Sequence, residues 1–411
     1  MPTATTKPIP APSSPSVDAP SSRDGQTVDP AMAGRHQPDT EIHGTCRDAF
    51  ARVRDVFVEQ LTNGLDIGAS LAVVLDGEPV IDLWGGYFDE SFTRPWSEHT
   101  ITNGFSTTKT MTALCALLLA DRGQLDVDAP VAEYWPEFAA AGKQKVLVRH
   151  LLGHTSGLAG WTQHMTLDDL CDVEYAVALL AEQEPWWEPG TAAGYHCCSQ
   201  GHLVGEVVRR VSGKPLGTFL QEEILQPLGV QDDYYIGTPE EADPRVSLLV
   251  PGFPIHPRGN RFYDRAVLNP PATPRDTWTL PWRRAGMGAL NGHGNARGIA
   301  MAQSILASGG ANGIRLISEE GRTRVLQQQA AGVDLVLDIP LRWGLGYCLN
   351  QEIAPASGGT RIAWWAGNGG SQSLVDIDRR FSFSYVPNRW VTGAHEMDRH
   401  MRLLNEVYLS F

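Results

Sequence analysis

The feature that most narrows the fold is where strand-like segments fall along the chain. Short apolar runs occur early, at Ser70–Leu75 and Val80–Trp84, on either side of the turn signal Asp76-Gly77-Glu78-Pro79. Strand-like runs return only near the end, at Arg361–Trp365, Ser373–Asp376 and Phe381–Val386. Helical spacing fills most of the remainder. Thr45–Leu61 repeats Phe50, Val53, Val56, Phe57 and Leu61 at helical intervals. Ser106–Arg122 reads as an amphipathic helix, with Met111, Leu114, Leu118 and Leu119 on one side and Gly123 as its stop. Gly201–Val211, Leu216–Leu225, Ala296–Ala307 and Glu396–Leu409 complete the set. One sheet assembled from both chain ends, with helices inserted between, is an α+β design. The expected parts are a discontinuous α/β sheet domain at 41–125 and 286–411 and an inserted helical lobe at 126–285 whose loops cover a cleft.

Charge and composition exclude several functions. Lys+Arg is 33 against Asp+Glu 47, a formal charge of -14 that repels phosphate backbones and anionic lipid, so neither nucleic acid nor a membrane is an expected partner. No apolar run reaches the roughly 20 residues of a membrane span. Residues 1–40 are rich in Pro, Ser, Ala and Thr and are expected to be a disordered tail, with a targeting or docking role as the alternative. They lack the apolar stretch of a secretory signal. The six cysteines show no CxxC spacing and read as reduced thiols of a cytoplasmic protein.

The chemistry-bearing motifs begin with absences. There is no phosphate-binding GxxxxGK[ST], no GxGxxG after a strand and no GxSxG elbow. The pair His395 and His400 is one residue too widely spaced for a zincin helix, so no metal is expected, and no motif asks for a cofactor. What stands out is Ser106-Thr107-Thr108-Lys109. Ser106 opens a helix, among free N–H groups that suit a developing oxyanion. Lys109, at i+3, lies on the same face and has no carboxylate at i±4. Desolvated, such a lysine loses pKa and can act as a base. A capping serine beside a solvated lysine is the alternative from this motif alone.

Further segments carry a resemblance. These are His154-Thr155-Ser156-Gly157-Leu158, Glu188-Pro189-Gly190 leading to Tyr195, Leu225–Val230, Arg342–Tyr347 and Gly369-Gly370-Ser371. Together with Ser106 and Lys109, in this order from about Ala51 to Val386, they resemble the serine β-lactamase-like superfamily. The likeness is to its class C-related branch of β-lactamases, D-Ala-D-Ala peptidases, family VIII carboxylesterases and statin-pathway acyltransferases. The resemblance implies a β-lactamase/transpeptidase-like fold, with an antiparallel sheet flanked by helices plus the inserted lobe. It implies Ser106 as nucleophile, Lys109 as base and Tyr195 as the tyrosine of the Y-x-N motif. The third motif falls on Trp365-Ala366-Gly367, so the oxyanion N–H groups would be those of Ser106 and Asn368.

Two departures from the family pattern bear on substrate. Cys197 stands where lactamases carry an amide, and Trp365 stands where they carry a lysine that faces a substrate carboxylate. Both favour a small-molecule neutral ester or acyl donor over antibiotics and wall peptides. The expected activity is ester hydrolysis through acyl-Ser106. The alternatives are acyl transfer to an alcohol, a β-lactamase or peptidase, and a non-catalytic scaffold. Trp365, Ala366, Gly367, Cys197 and His196 are the expected substrate-binding residues, with His154 packing the lobe. Trp161, Trp186, Trp187, Trp278 and Trp282 are expected in loops near the cleft, where they would build an apolar pocket. The sequence carries no signal for oligomeric state.

Overall fold

The computed structural model describes residues 40–252, 255–349, 361–391 and 394–411, the last beginning with backbone alone at 394–398. All but the final residue of the expected N-terminal tail lies outside them, as does the His395 side chain. Nine strands among the described residues form one sheet. In spatial order they are Ile42–Cys46, Glu78–Gly86, Gly68–Leu75, Phe381–Pro387, Ser371–Asp376, Ile362–Gly367, Cys348–Leu349, Pro340–Trp343 and Ala330–Val333. Every neighbouring pair is antiparallel. The two ends of the chain meet mid-sheet, where Phe381 pairs with Leu75 and Pro387 with Ala69.

Strand alternation sets the two faces. Leu71, Val73, Phe381, Phe383 and Tyr385 pack with Val53 and Phe57 of the helix Ala51–Thr62 and with Leu403 and Val407 of the helix Ala394–Tyr408. The opposite face offers small residues at the same strands, including Ala72, Ser382 and Ser384. On them lies the alanine-rich helix Ala296–Ser308, close enough for the Ser382 hydroxyl to donate to the Ala300 carbonyl at 2.7 Å.

Besides the strands Ala330–Val333, Pro340–Trp343 and Cys348–Leu349, which precede the run expected to reopen the sheet at Arg361, two segments differ from the sequence-based expectation. The helix expected from Thr45 begins at Ala51, and Ile42–Cys46 is instead an edge strand, with Ile42 opposite Gly85 and Cys46 opposite Ile81. Its central side chains are exposed and its pairing is made by backbone, so no apolar alternation marks it. The second is the helix Thr108–Asp121, which is buried on every side from Thr108 to Ala120 and so is not amphipathic. The helices Ser199–Ser212, Leu216–Leu220, Ala296–Ser308 and Glu319–Arg324 surround it.

A small sheet ties the middle of the chain to this central helix. Tyr234–Ile236 pairs with Gly292–Gly294, which pairs with Thr102–Asn103 just before Ser106. No helix among the described residues is long and apolar enough to cross a membrane.

Close backbone approach beside the central helix depends on Gly201. A Cβ there would stand 2.1 Å from the Met287 carbonyl oxygen and 2.3 Å from the Ala289 nitrogen, both backbone atoms that cannot swing aside. Gly201→Ala is therefore expected to destabilise the fold by at least ~2 kcal/mol in urea unfolding. Gly286→Ala, where a Cβ meets nothing within 4 Å, serves as the near-neutral control. Equal midpoints for the two variants would contradict this packing.

Candidate active site

Ser106 sits in the single 3-10 turn Phe105–Thr107 that opens the central helix. The turn is entered through Phe105, a non-glycine residue at φ +44°. Such a conformation costs on the order of 1–3 kcal/mol and is held by its surroundings. The Phe105 N–H donates to Asn103 Oδ1 at 3.1 Å, and its ring packs on Trp390 and Trp282. The preceding Gly104 carbonyl accepts from Ser371 Oγ at 2.7 Å and Thr107 Oγ1 at 2.8 Å. Ser106 is 6% exposed at the end of this elbow.

Lys109 is buried one turn on, with no carboxylate among its hydrogen-bond partners. Its Nζ donates to the Cys197 carbonyl at 2.6 Å, the Ala289 carbonyl at 3.1 Å and Ser106 Oγ at 3.1 Å. Desolvation pulls its pKa from 10.5 to about 8. That geometry suits both protonation states. The ammonium has three donors for three acceptors, while the neutral amine keeps two for the carbonyls and turns a lone pair to the Ser106 proton.

Tyr195 completes the group from a different segment. Its hydroxyl donates to Ser106 Oγ at 2.7 Å and accepts from Trp365 Nε1 at 3.1 Å. Burial is the main cause holding its phenol well above the usual pKa, so the oxygen keeps its proton. Since Trp365 occupies an acceptor position of that oxygen, the one phenol proton is aimed at Ser106. The loop carrying Tyr195 is held by His154, whose carbonyl accepts from the Gly194 N–H at 3.0 Å and whose Nδ1 accepts from the His196 N–H at 3.1 Å. His154 is buried at φ +59°, which agrees with a packing role.

The remaining expected site residues divide. Ala366 and Asn368 are half-buried at the end of the strand Ile362–Gly367. Gly367 lies so near the Gly104 backbone that a Cβ would stand 1.9 Å from its oxygen, which brings this strand end beside the Ser106 elbow. Cys197 is half-buried and supplies its carbonyl to Lys109.

His196 does not face a cleft. It is fully buried, its Nδ1 bonds the Gly194 carbonyl at 2.6 Å, and Ser156 Oγ lies 2.7 Å from Nε2. Burial lowers its pKa to about 4, so it braces the loop as a neutral ring. Trp365 is 9% exposed and mostly packed against Tyr195, Trp343 and Trp364, so it is a partner of Tyr195 more than a wall for substrate. Trp161 and Trp282 are core residues. Trp186 and Trp187 are half-buried and pack around Phe262, and half-buried Trp278 bonds the Leu249 carbonyl.

Sequence reasoning missed the Ala289 carbonyl, the Trp365 bond to Tyr195, and Asp334, which accepts from the Tyr195 N–H at 3.0 Å. None of them has a spacing signal, because each contact joins segments far apart in the chain.

Similarity to known proteins agrees with this geometry. Residues 53–406 match the family model described as Beta-lactamase. The chain is 33% identical over 380 residues to the esterase/beta-lactamase LipL of Mycobacterium tuberculosis, covering 87% of this chain and 86% of that protein. It is 28% identical over 362 residues to the esterase EstB of Burkholderia gladioli, covering 79% of this chain and 87% of EstB. The crystal structure of a family VIII carboxylesterase aligns at a TM-score of 0.86 and 38% identity, over 90% of this chain and all of that one, 100%. With a buried lysine and a tyrosine converging on the Ser106 oxygen, and with matches spanning nearly the whole described fold, the chain belongs to the beta-lactamase family.

Proposed function

We propose that the protein is a serine esterase that cleaves neutral carboxylic esters through an acyl-Ser106 intermediate. The observation that carries this is the convergence on Ser106 Oγ of Lys109 Nζ at 3.1 Å and the Tyr195 hydroxyl at 2.7 Å. The esterase names of its relatives LipL and EstB support the same reading.

Ser106 Oγ attacks the ester carbonyl carbon as neutral Lys109 takes the hydroxyl proton. The resulting oxyanion is held by the backbone N–H groups of Ser106 and Asn368. The carbon–oxygen bond to the alcohol then breaks, and the Tyr195 hydroxyl delivers a proton to the leaving oxygen, replaced in turn from Lys109. Water attacks the acyl-enzyme by the reverse relay, releasing the acid and restoring the Ser106 proton. No step calls for a group from outside the chain other than substrate and water.

Ser106→Ala is expected to abolish turnover of p-nitrophenyl butyrate and the mass adduct formed with a fluorophosphonate. Its unfolding free energy should stay within ~1 kcal/mol of wild type. Retained esterase activity in the purified variant would remove Ser106 from the mechanism.

The pH dependence follows from Lys109. Its folded-state pKa is lowered to about 8, and the base form is the deprotonated one. Activity should therefore be low below that pH and rise through it, so kcat/KM is expected to climb to a plateau with an apparent pKa near 8. A profile flat from pH 6 to 9 would exclude Lys109 as the base. Lys109→Arg, which cannot lose its proton in this range, should be nearly as inactive as Lys109→Ala.

Substrate charge follows from Trp365. An indole at this position gives a substrate carboxylate no cationic partner, and an unpaired buried carboxylate costs several kcal/mol. Nitrocefin is expected to show kcat/KM at least ~100-fold below that of p-nitrophenyl butyrate. Equal values would overturn the preference for neutral esters.

A further inference from the structure

Asp334 is a buried carboxylate to which the steps above give no part. It is 1% exposed, and its hydrogen bonds come from neutral N–H groups. Oδ1 accepts from the backbone of Val336 at 2.9 Å and Leu337 at 3.0 Å, an ordinary Asx turn. The same oxygen takes a third bond from the Tyr195 N–H at 3.0 Å, across 139 positions of sequence. Oδ2 accepts from Trp343 Nε1 at 3.0 Å. Buried Asp66 and Asp233 face Arg399 and Arg297, whereas Asp334 has no ion pair among the described residues.

We propose that Asp334 is a positioning residue for catalysis, fixing the backbone of Tyr195 and, through Trp343, the aromatic surface against which the phenol rests. The proposal rests on the role of Tyr195 as proton carrier. A turn alone would use the Val336 and Leu337 donors. The other two bonds lead to the reacting groups. The Trp343 ring lies parallel to that of Tyr195, at an interplanar angle of 1° and 6.0 Å between centroids. It also packs at 4.8 Å on Trp365, the donor to the Tyr195 oxygen. A second hold on the same stretch comes from the Leu335 N–H, which donates to the Ala193 carbonyl at 2.9 Å. One carboxylate thus anchors one end of Tyr195 and the ring behind both Tyr195 and Trp365. It does so with four uncharged donors, three on Oδ1 and one on Oδ2.

Asp334→Asn tests this, because the amide keeps one oxygen but turns an NH2 toward donors that need an acceptor. Turnover of p-nitrophenyl butyrate, expressed per Ser106 titrated with a fluorophosphonate, should show kcat reduced about 10–100-fold, the scale of an ångström-level misplacement. KM should stay within about threefold, and the titrated fraction should match wild type. In a Tyr195→Phe background, Asp334→Asn should add less than about threefold, since both act through one phenol.

Wild-type kcat per titrated site, or losses that multiply in the double variant, would overturn the proposal. If Asp334→Asn does not fold, Trp343→Phe removes the donor to Oδ2 while keeping a ring. It should lose kcat several-fold and be equally non-additive with Tyr195→Phe, and full additivity or no loss would overturn the proposal there. Near-wild-type activity in Tyr195→Phe alone would instead overturn the proton-carrier role, and the positioning role with it.

Discussion

A buried amine without a counter-charge governs the centre of this molecule. Lys109 projects from a helix that is enclosed on every side, and its nitrogen is met by two carbonyls and one hydroxyl. The fall in its pKa from 10.5 to about 8 corresponds to roughly 3 kcal/mol of bias toward the neutral form. A carboxylate beside it would cancel that bias and keep the amine charged. Carbonyl dipoles instead satisfy its hydrogens while leaving the proton easy to lose. They come from Cys197 and Ala289, residues on two segments remote in sequence, so the fold must bring three stretches of chain within bonding distance of one atom.

That requirement explains several local features together. Gly201 lets the 287–289 backbone approach the neighbouring helix, which places the Ala289 carbonyl within reach of Lys109. The strained Phe105 turn directs Ser106 back toward the same nitrogen. Gly367 allows the strand end to touch the Gly104 backbone, and Ser371 on the next strand bonds the Gly104 carbonyl. Each of these contacts brings the sheet or a neighbouring helix against the Ser106 elbow or Lys109. Regular elements therefore position the Ser106 elbow, while Tyr195, Cys197 and Ala289 reach it from connecting segments held by hydrogen bonds.

Much of this was legible in the sequence where a period or a motif carried it. The strands Gly68–Leu75, Glu78–Gly86, Ile362–Gly367 and Phe381–Pro387 lie close to where alternation and turn residues placed them. Ser106, Lys109 and Tyr195 were found from a spacing and a resemblance, and the structure brings all three to one oxygen. What escaped has a common cause. The edge strand Ile42–Cys46 is held by its backbone and shows no buried face. His196 sits beside Tyr195 in sequence, yet the chain turns its ring into the core, where Ser156 and the Gly194 carbonyl take it up. Trp365, expected to bind substrate, instead donates to Tyr195, since a tryptophan in a motif says nothing about where its N–H points. Long-range side-chain bonds leave no periodic trace.

The exchange of a cation for Trp365 changes proton control as well as substrate charge. A lysine or arginine at that position would lower the phenol pKa of Tyr195 by its charge and move it toward a phenolate. The indole donates one neutral hydrogen bond, and burial dominates, so the phenol keeps its proton. With Tyr195 protonated and Lys109 deprotonated above its pKa of about 8, the reactive site holds one base and one acid, both bonded to the same serine oxygen. Acylation needs that pair: a base to accept the serine proton and an acid to supply the leaving alcohol. A site with a phenolate and an ammonium would carry the same number of protons but would begin with the charges already separated. Here the charge separation is deferred until the oxyanion forms. Desolvation of Tyr195 and Lys109 therefore makes a neutral pair accessible, reached as the pH passes the Lys109 pKa of about 8.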